Sequence, residues 1–114
     1  MANVLASVDI GQSVAISGRA CVAAEAMEGT DAMLRRAATL AEGKPLRLVK
    51  VSRRRGHLLF DVPVVGITTI DVMRESGTTA LAVDAGRTLM LDRDQLIRRA
   101  DDAGIAITGY MAVE

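Results

Sequence analysis

Aromatic residues are scarce in this 114-residue sequence, which has one phenylalanine (Phe60), one tyrosine (Tyr110) and no tryptophan. Half of the residues are nevertheless hydrophobic, so the chain can bury a core, and that core must be built from aliphatic side chains and methionine. The single cysteine, Cys21, cannot form a disulfide within the chain, which is typical of proteins from a reducing compartment. The length suits one domain.

An excess of charge of either sign is also missing, since the sequence has 14 basic and 14 acidic side chains. Proteins that bind nucleic acids usually carry a basic excess, because contacts to phosphates supply much of their affinity, so we expect no nucleic-acid partner. Residues 1–4 lack the basic stretch and the apolar run of a signal peptide, and no apolar segment approaches the roughly 20 residues that cross a bilayer. These absences predict a soluble, cytoplasmic protein, with contact at a membrane surface left open.

Apolar patterns with strand and helix periods alternate along the chain and predict an α/β fold. The predicted strands are residues 13–17, 21–24 (a hairpin around Gly18), 46–51, 58–60, 79–83, 88–91 and 105–108, with the basic stretch 53–57 as an interruption. The predicted helices are residues 32–40, a short helix up to residue 74, and 93–101, with Thr30, Thr68 or Thr69, and Asp92 as N-caps and Gly43, Gly77 and Gly104 as stops. The expected architecture is a single domain, residues 1–114, in which about three helices pack on a mixed sheet.

Common catalytic motifs are absent, which narrows the chemistry. The sequence has no phosphate-binding P-loop, no dinucleotide-binding glycine fingerprint and no Gly-x-Ser-x-Gly nucleophile elbow. One cysteine and one histidine, His57, cannot form a zinc site of the usual kind. His57 also has no evident partner for a catalytic triad, so nucleophilic catalysis by serine or cysteine is disfavoured and carboxylates are the remaining candidates.

Acidic residues lie where predicted strands end, three of them within residues 25–31 and one, Asp61, within residues 60–66. Oxygen ligands at such positions suit Mg²⁺, which binds few carboxylates and keeps water molecules that substrate phosphates can replace. A helix that starts beside Thr30 would add backbone donors for an anion. The alternative is structural: Thr30 and Asp31 cap a helix, and Asp61 ends a strand. The residues alone favour this alternative.

Five segments of the chain, in order and with similar spacing, resemble one known family. They are residues 9–14 (DIGQSV), 24–33 (AEAMEGTDAM), 48–51 (LVKV), 60–66 (FDVPVVG) and 81–89 (LAVDAGRTL). Over nearly its whole length the chain resembles the C-terminal domain of the LpxI-type UDP-2,3-diacylglucosamine pyrophosphatases.

The resemblance implies hydrolysis of UDP-2,3-diacylglucosamine to UMP and 2,3-diacylglucosamine 1-phosphate (lipid X), a step of lipid A biosynthesis that depends on a divalent cation, usually Mg²⁺. The resemblance also implies a cytoplasmic protein, with peripheral contact at the inner membrane left open. The residues that the resemblance assigns to the site are Asp61 as the catalytic carboxylate, Glu28, Asp31 and Asp61 as metal ligands, and Thr30, Lys50, Arg87 and Gln12 as contacts to the substrate phosphates.

Two departures from the family leave a second function open. Relatives carry a Rossmann-like N-terminal domain ahead of this one, and this chain does not, so a separate N-terminal domain is an expected partner. Where relatives usually read Lys-Pro-x-Gln-Asp-x-Arg, this chain has residues 53–59, Arg-Arg-Arg-Gly-His-Leu-Leu. The alternative function is therefore a non-catalytic relative that acts in ligand binding or in assembly as a homo-oligomer.

Overall fold

A computed structural model of the chain describes residues 13–25, 28–50, 53–55, 58–61, 64–84 and 89–110. Within these ranges the strands are β1 (Ser13–Ser17), β2 (Ala20–Ala24), β3 (Leu46–Lys50), β4 (Arg53–Arg55), β5 (Leu58–Asp61), β6 (Val64–Val65), β7 (Thr78–Asp84), β8 (Leu89–Met90) and β9 (Ala106–Tyr110). The helices in the same ranges are α1 (Thr30–Ala41), α2 (Ile67–Ser76) and α3 (Arg93–Asp102).

The main sheet has five strands in the order β2-β1-β3-β7-β9. Strand β1 runs antiparallel to both β2 and β3, whereas β3, β7 and β9 run parallel to one another. Two small sheets accompany it, an antiparallel pair β4-β5 and a parallel pair β6-β8. The predicted single α/β domain with a mixed sheet and three helices is confirmed.

The helices form a layer on the main sheet because each has one apolar stripe. In α1 the buried residues are Met33, Leu34, Ala37 and Ala41, which recur at the spacing of one helix face. Helix α1 contacts β1, β2 and β3, α2 contacts α1 and β7, and α3 contacts α2 and β9. None of the helices in the described ranges is long and apolar enough to cross a membrane.

The side chains of strand β3 point alternately into the core and to the surface. Leu46 and Leu48 are fully buried, and Arg47 between them is exposed, because successive strand residues point to opposite faces. The same alternation carries Lys50 onto the core side, where it is 5% exposed. The sequence therefore directs a lysine into the boundary between the sheet and α1.

The predicted hairpin around Gly18 and the stops at Gly43, Gly77 and Gly104 are confirmed, since all four glycines have positive φ. The predicted N-cap Asp92 is confirmed in position, and the predicted threonine caps of α1 and α2 are wrong. Helices α1 and α2 begin after Gly29 and Gly66, and neither has a side-chain hydrogen bond at its cap. Asp92 does precede α3, but its side chain makes no cap hydrogen bond there.

The predicted interruption at residues 53–57 is also wrong for its first three residues. Arg53–Arg55 form β4, which pairs with β5 and places the backbone of Arg53 opposite that of Asp61. Three consecutive arginines gave no strand pattern, and the partner strand β5 supplies the pairing that the local sequence does not reveal.

Replacing Gly77 with alanine is expected to lower the free energy of unfolding by about 1–2 kcal/mol, the cost of holding a Cβ in the left-handed region. Gly77 ends α2 at φ 76 and ψ 22, and a Cβ built there meets no atom within 4 Å, so the cost is conformational and not steric. Gly77→Asn is the matched control, because asparagine tolerates this conformation better. Urea unfolding in which the alanine variant is as stable as the wild type would contradict the prediction.

Candidate functional site

The parallel strands place several chain segments at one edge of the main sheet. Strands β3, β7 and β9 run in the same direction, so their last residues, Lys50, Asp84 and Tyr110, define a common carboxyl edge. Strand β1 is antiparallel to β3 and begins at the same edge with Ser13, directly opposite Lys50. In open α/β sheets, ligands usually bind in the crevice outside the carboxyl ends of the strands.

Four side chains from four elements or their ends meet at the carboxyl edge. Lys50 donates a hydrogen bond from Nζ to Thr30 Oγ1 at 2.9 Å, and Thr30 Oγ1 donates to Glu25 Oε2 at 3.2 Å. Ser13 Oγ lies 3.3 Å from Thr30 Oγ1. Ser13 and Lys50 are both buried, at 2% and 5% exposure. We call Ser13, Glu25, Thr30 and Lys50 the Thr30 network.

The directions of these hydrogen bonds follow from the donors that each group has. The Thr30 hydroxyl has one proton and two acceptor positions. Its proton goes to Glu25, and Lys50 donates to it, so Ser13 must donate as well. All three positions on the Thr30 hydroxyl are therefore filled, and a phosphate oxygen would have to displace one of them. Thr30 is also the first helical residue of α1, and the cap position belongs to Gly29.

Glu28 is held by an arginine of α1. Arg36 Nη2 donates to Glu28 Oε1 at 2.6 Å and to the carbonyl oxygen of Ala24 at 3.0 Å. The hydrogen bond with Glu28 raises the pKa of Arg36 above its ordinary value, helped by the attraction between the two charges and opposed by desolvation. A cation that bound Glu28 would therefore compete with a guanidinium.

Of the predicted site residues, the structure brings together Thr30 and Lys50. Asp31 lies in the first turn of α1 and is half-buried. Gln12 and Arg87 lie outside the described residues, and Asp61 is described only by its backbone, as the last residue of β5.

A magnesium site does not form from the described side chains alone. No three cysteine, histidine, aspartate or glutamate residues within the described ranges come close enough to share a cation. Glu25 accepts from Thr30, Glu28 is paired with Arg36, and the Lys50 ammonium lies in the same network.

Ser13, Glu25 and Arg36 were not assigned to the site from the sequence. Glu25 belongs to the acidic stretch at 25–31, but nothing local distinguishes its role from that of Glu28. The one available signal was the alternation of Leu46, Leu48 and Lys50, which indicates a buried lysine that needs polar partners. Their identity depends on the strand order, which the sequence did not reveal.

The family model of the LpxI C-terminal domain matches residues 1–108. A curated protein, the UDP-2,3-diacylglucosamine pyrophosphatase LpxI of Caulobacter vibrioides, is 36% identical over 116 aligned residues, which cover 96% of this chain and 41% of that protein. The chain thus spans about two fifths of the length of this relative. These matches confirm the resemblance found in the five sequence segments, and the chain belongs to the LpxI C-terminal domain family.

Proposed function

We propose that this domain takes part in the hydrolysis of UDP-2,3-diacylglucosamine to UMP and 2,3-diacylglucosamine 1-phosphate, a step of lipid A biosynthesis. The observation that carries the proposal is Lys50, a buried cation at the carboxyl edge that is tied to the start of α1 through Thr30. Family membership supports the reaction class. The relative is longer than the residues matched here, which cover 41% of it, and we assign the remaining, N-terminal part of such a protein a share in the complete activity.

Lys50 would act on the diphosphate as an electrostatic group. When water attacks one phosphorus atom and the bridging P–O bond breaks, negative charge builds up on the oxygen that leaves. An ammonium fixed beside that oxygen stabilises this charge, and it does so more strongly in a buried position than in water. The backbone N–H groups in the first turn of α1 would add partial positive charge on the same side.

The attacking water must also lose a proton. We assign this role to Asp61, on the basis of the family resemblance and its place at the end of β5. Its carboxylate would orient the water and accept the proton, as general bases do. If water attacks the phosphorus next to the glucosamine, the bridging oxygen and the electrons of the broken P–O bond leave with UMP. If water attacks the phosphorus next to the uridine, they leave with 2,3-diacylglucosamine 1-phosphate.

Mg²⁺ dependence is a further part of the proposal and rests on the resemblance. Asp61 and Asp31 would hold the ion, and Glu28 would join them by exchanging Arg36 for the metal. When bound, Mg²⁺ would neutralise charge on the diphosphate. Removal of divalent cations with a chelator, followed by addition of Mg²⁺, checks this part: UMP release that is insensitive to the chelator would contradict it.

The direct test is UMP release from UDP-2,3-diacylglucosamine, measured with the chain alone and with a separately produced N-terminal part of the Caulobacter relative. We expect release in the mixture, and a decrease of about 100-fold or more in Asp61→Asn, the usual size of losing a key catalytic group. Asp71→Asn is the matched control, because Asp71 makes a surface ion pair with Arg99 at 3.0 Å on α2 and α3. Absence of UMP in every mixture would refute the proposal.

The second candidate is a non-catalytic domain that binds the lipid product or assembles with copies of itself. The pairing of Glu28 with Arg36 favours it, because a predicted metal ligand is already occupied. So do three exposed apolar residues around the small β6-β8 sheet, Val64, Leu89 and Leu91. Binding of 2,3-diacylglucosamine 1-phosphate without UMP release, or a concentration-dependent mass in light scattering, would support this candidate.

A further inference from the structure

The Thr30 network contains a closed ring of three residues. The backbone N–H of Glu25 donates to the carbonyl oxygen of Ser13 at 2.8 Å, the Ser13 hydroxyl meets the Thr30 hydroxyl at 3.3 Å, and Thr30 donates to the Glu25 carboxylate at 3.2 Å. The ring joins the start of β1, the residue after β2 and the first residue of α1. Lys50, at the end of β3, is attached to the ring through Thr30.

Glu25 determines which way the Thr30 hydroxyl faces. A carboxylate only accepts hydrogen bonds, so it draws the single Thr30 proton toward itself. Both acceptor positions of the hydroxyl then point away from Glu25, and Lys50 fills one of them. Without this acceptor, the proton could turn toward Lys50, and two donors would face each other. The negative charge of Glu25 also lies two hydrogen bonds away from the Lys50 ammonium, which strengthens the chain of donors.

We propose that Glu25 is a positioning residue that acts on Lys50 through the hydroxyl of Thr30. In this role Glu25 touches neither the substrate nor the reacting atoms, and Thr30 is a positioning residue as well, since its hydroxyl has no position left for a phosphate oxygen. The inference rests on the proposed function in one respect: Lys50 is the group that would meet the diphosphate. The other part of the inference, that Glu25 and Thr30 fix the position of the Lys50 ammonium, does not depend on the reaction.

The alternative is that the ring only ties β1, β2 and α1 together. A purely structural ring would affect the stability of the fold without affecting Lys50 more than other groups. The two roles therefore predict different reactivities for the Lys50 amine, and chemical modification measures this reactivity.

The first experiment measures how fast Lys50 reacts with N-acetoxysuccinimide. The chain has two lysines, and exposed Lys44 serves as an internal reference. Cleavage after Arg47 places them in different peptides, so mass spectrometry gives the ratio of their acetylation rates. Only the free amine attacks the acyl carbon, and the hydrogen bond to Thr30 stabilises the ammonium form and restrains its position. We expect Thr30→Val to raise the Lys50/Lys44 ratio about tenfold, the size of one hydrogen bond to a charged group.

Conservative and matched variants complete the first experiment. Thr30→Ser retains the hydroxyl and should restore the wild-type ratio, and Glu25→Gln, which removes the charge, should raise the ratio about threefold. Thr39→Val makes the same change on the exposed side of α1, where the hydroxyl donates to the carbonyl oxygen of Arg35. Glu75→Gln makes the same change as Glu25→Gln at an exposed position of α2. An unchanged ratio in Thr30→Val, or an equal rise in Thr39→Val, would overturn the inference.

The second experiment connects the network to phosphate binding. Inorganic pyrophosphate is titrated into the chain by calorimetry, with Thr30→Val, Lys50→Met and the double variant. If Thr30 acts through Lys50, Thr30→Val weakens pyrophosphate binding about tenfold when Lys50 is present. In the Lys50→Met background, Thr30→Val should cause no further loss of affinity. Additive losses would overturn the positioning role. If the wild-type chain binds no pyrophosphate, the phosphate-binding role of Lys50 fails, and the acetylation ratios alone decide whether Glu25 and Thr30 fix the amine.

Discussion

Replacing Lys50 with methionine is expected to lower the rate of UMP release by about 100-fold or more, in the mixture in which the wild-type domain is active. Methionine has a similar length but cannot donate a hydrogen bond or carry charge. The lysine is 5% exposed and lies at the carboxyl edge, where water competes little for its charge. Loss of one fixed donor at a site where negative charge develops has an effect of this size in hydrolases.

Lys44→Met is the matched control for this prediction. Both variants lose one positive charge, but Lys44 is exposed and lies in the turn after α1, where its N–H bonds to the carbonyl of Ala41 at 3.1 Å. We expect its activity to stay within about twofold of the wild type, as for surface substitutions away from a site. Lys50→Arg separates charge from shape: it should recover part of the activity, because the guanidinium keeps the charge but is too broad for the position of an ammonium.

Two results would contradict the role of Lys50. One is a Lys50→Met variant that is folded by circular dichroism and releases UMP at the wild-type rate. The other is an equal loss of activity in Lys44→Met, which would indicate an effect of net charge on substrate attraction and not of one fixed ammonium. Urea unfolding at the assay temperature establishes in each case that the variant is folded.

The sequence was sufficient for those parts of the fold that have a local cause. Gly18 predicted the hairpin and Gly77 the end of α2, because positive φ is inexpensive only for glycine. The apolar period of 3.6 residues located α1, although its first turn extends back to Thr30. The fold class followed from the alternation of strand and helix patterns.

The sequence was insufficient wherever a side chain had two partners to choose from. Thr30 has the residue type of a helix cap, but the structure engages its hydroxyl with Glu25, Lys50 and Ser13 instead. These bonds depend on β1 lying between β2 and β3, which is a non-local fact. Glu28 has the residue type of a metal ligand, and Arg36, two turns into α1, occupies it. In both cases the residue type is evident from the sequence and the partner is not.

The largest expected effect on stability comes from Leu48→Ala, which should lower the free energy of unfolding by about 3 kcal/mol, within the range for a buried leucine. Leu48 is fully buried in β3, the central strand of the main sheet, and packs in the core with residues of α1 and β7. The truncation removes apolar contacts and leaves a cavity that a central strand cannot close by moving. A loss of this size is a large fraction of the total stability of a small domain.

Leu40→Ala is the control for this substitution, because Leu40 in α1 is 56% exposed and its truncation should cost less than about 0.5 kcal/mol. Both values come from urea unfolding, with the slope unchanged if the variants unfold in the same two-state manner. Equal costs at the two positions would contradict the assignment of Leu48 to the core.

Leu48 and Lys50 have different expected roles in the same strand: Leu48 holds β3 in place, and Lys50, two residues further on the same face, supplies the charge. Leu48→Ala should therefore lower stability far more than it lowers the activity of the molecules that remain folded, and Lys50→Met should remove activity from molecules that are still folded.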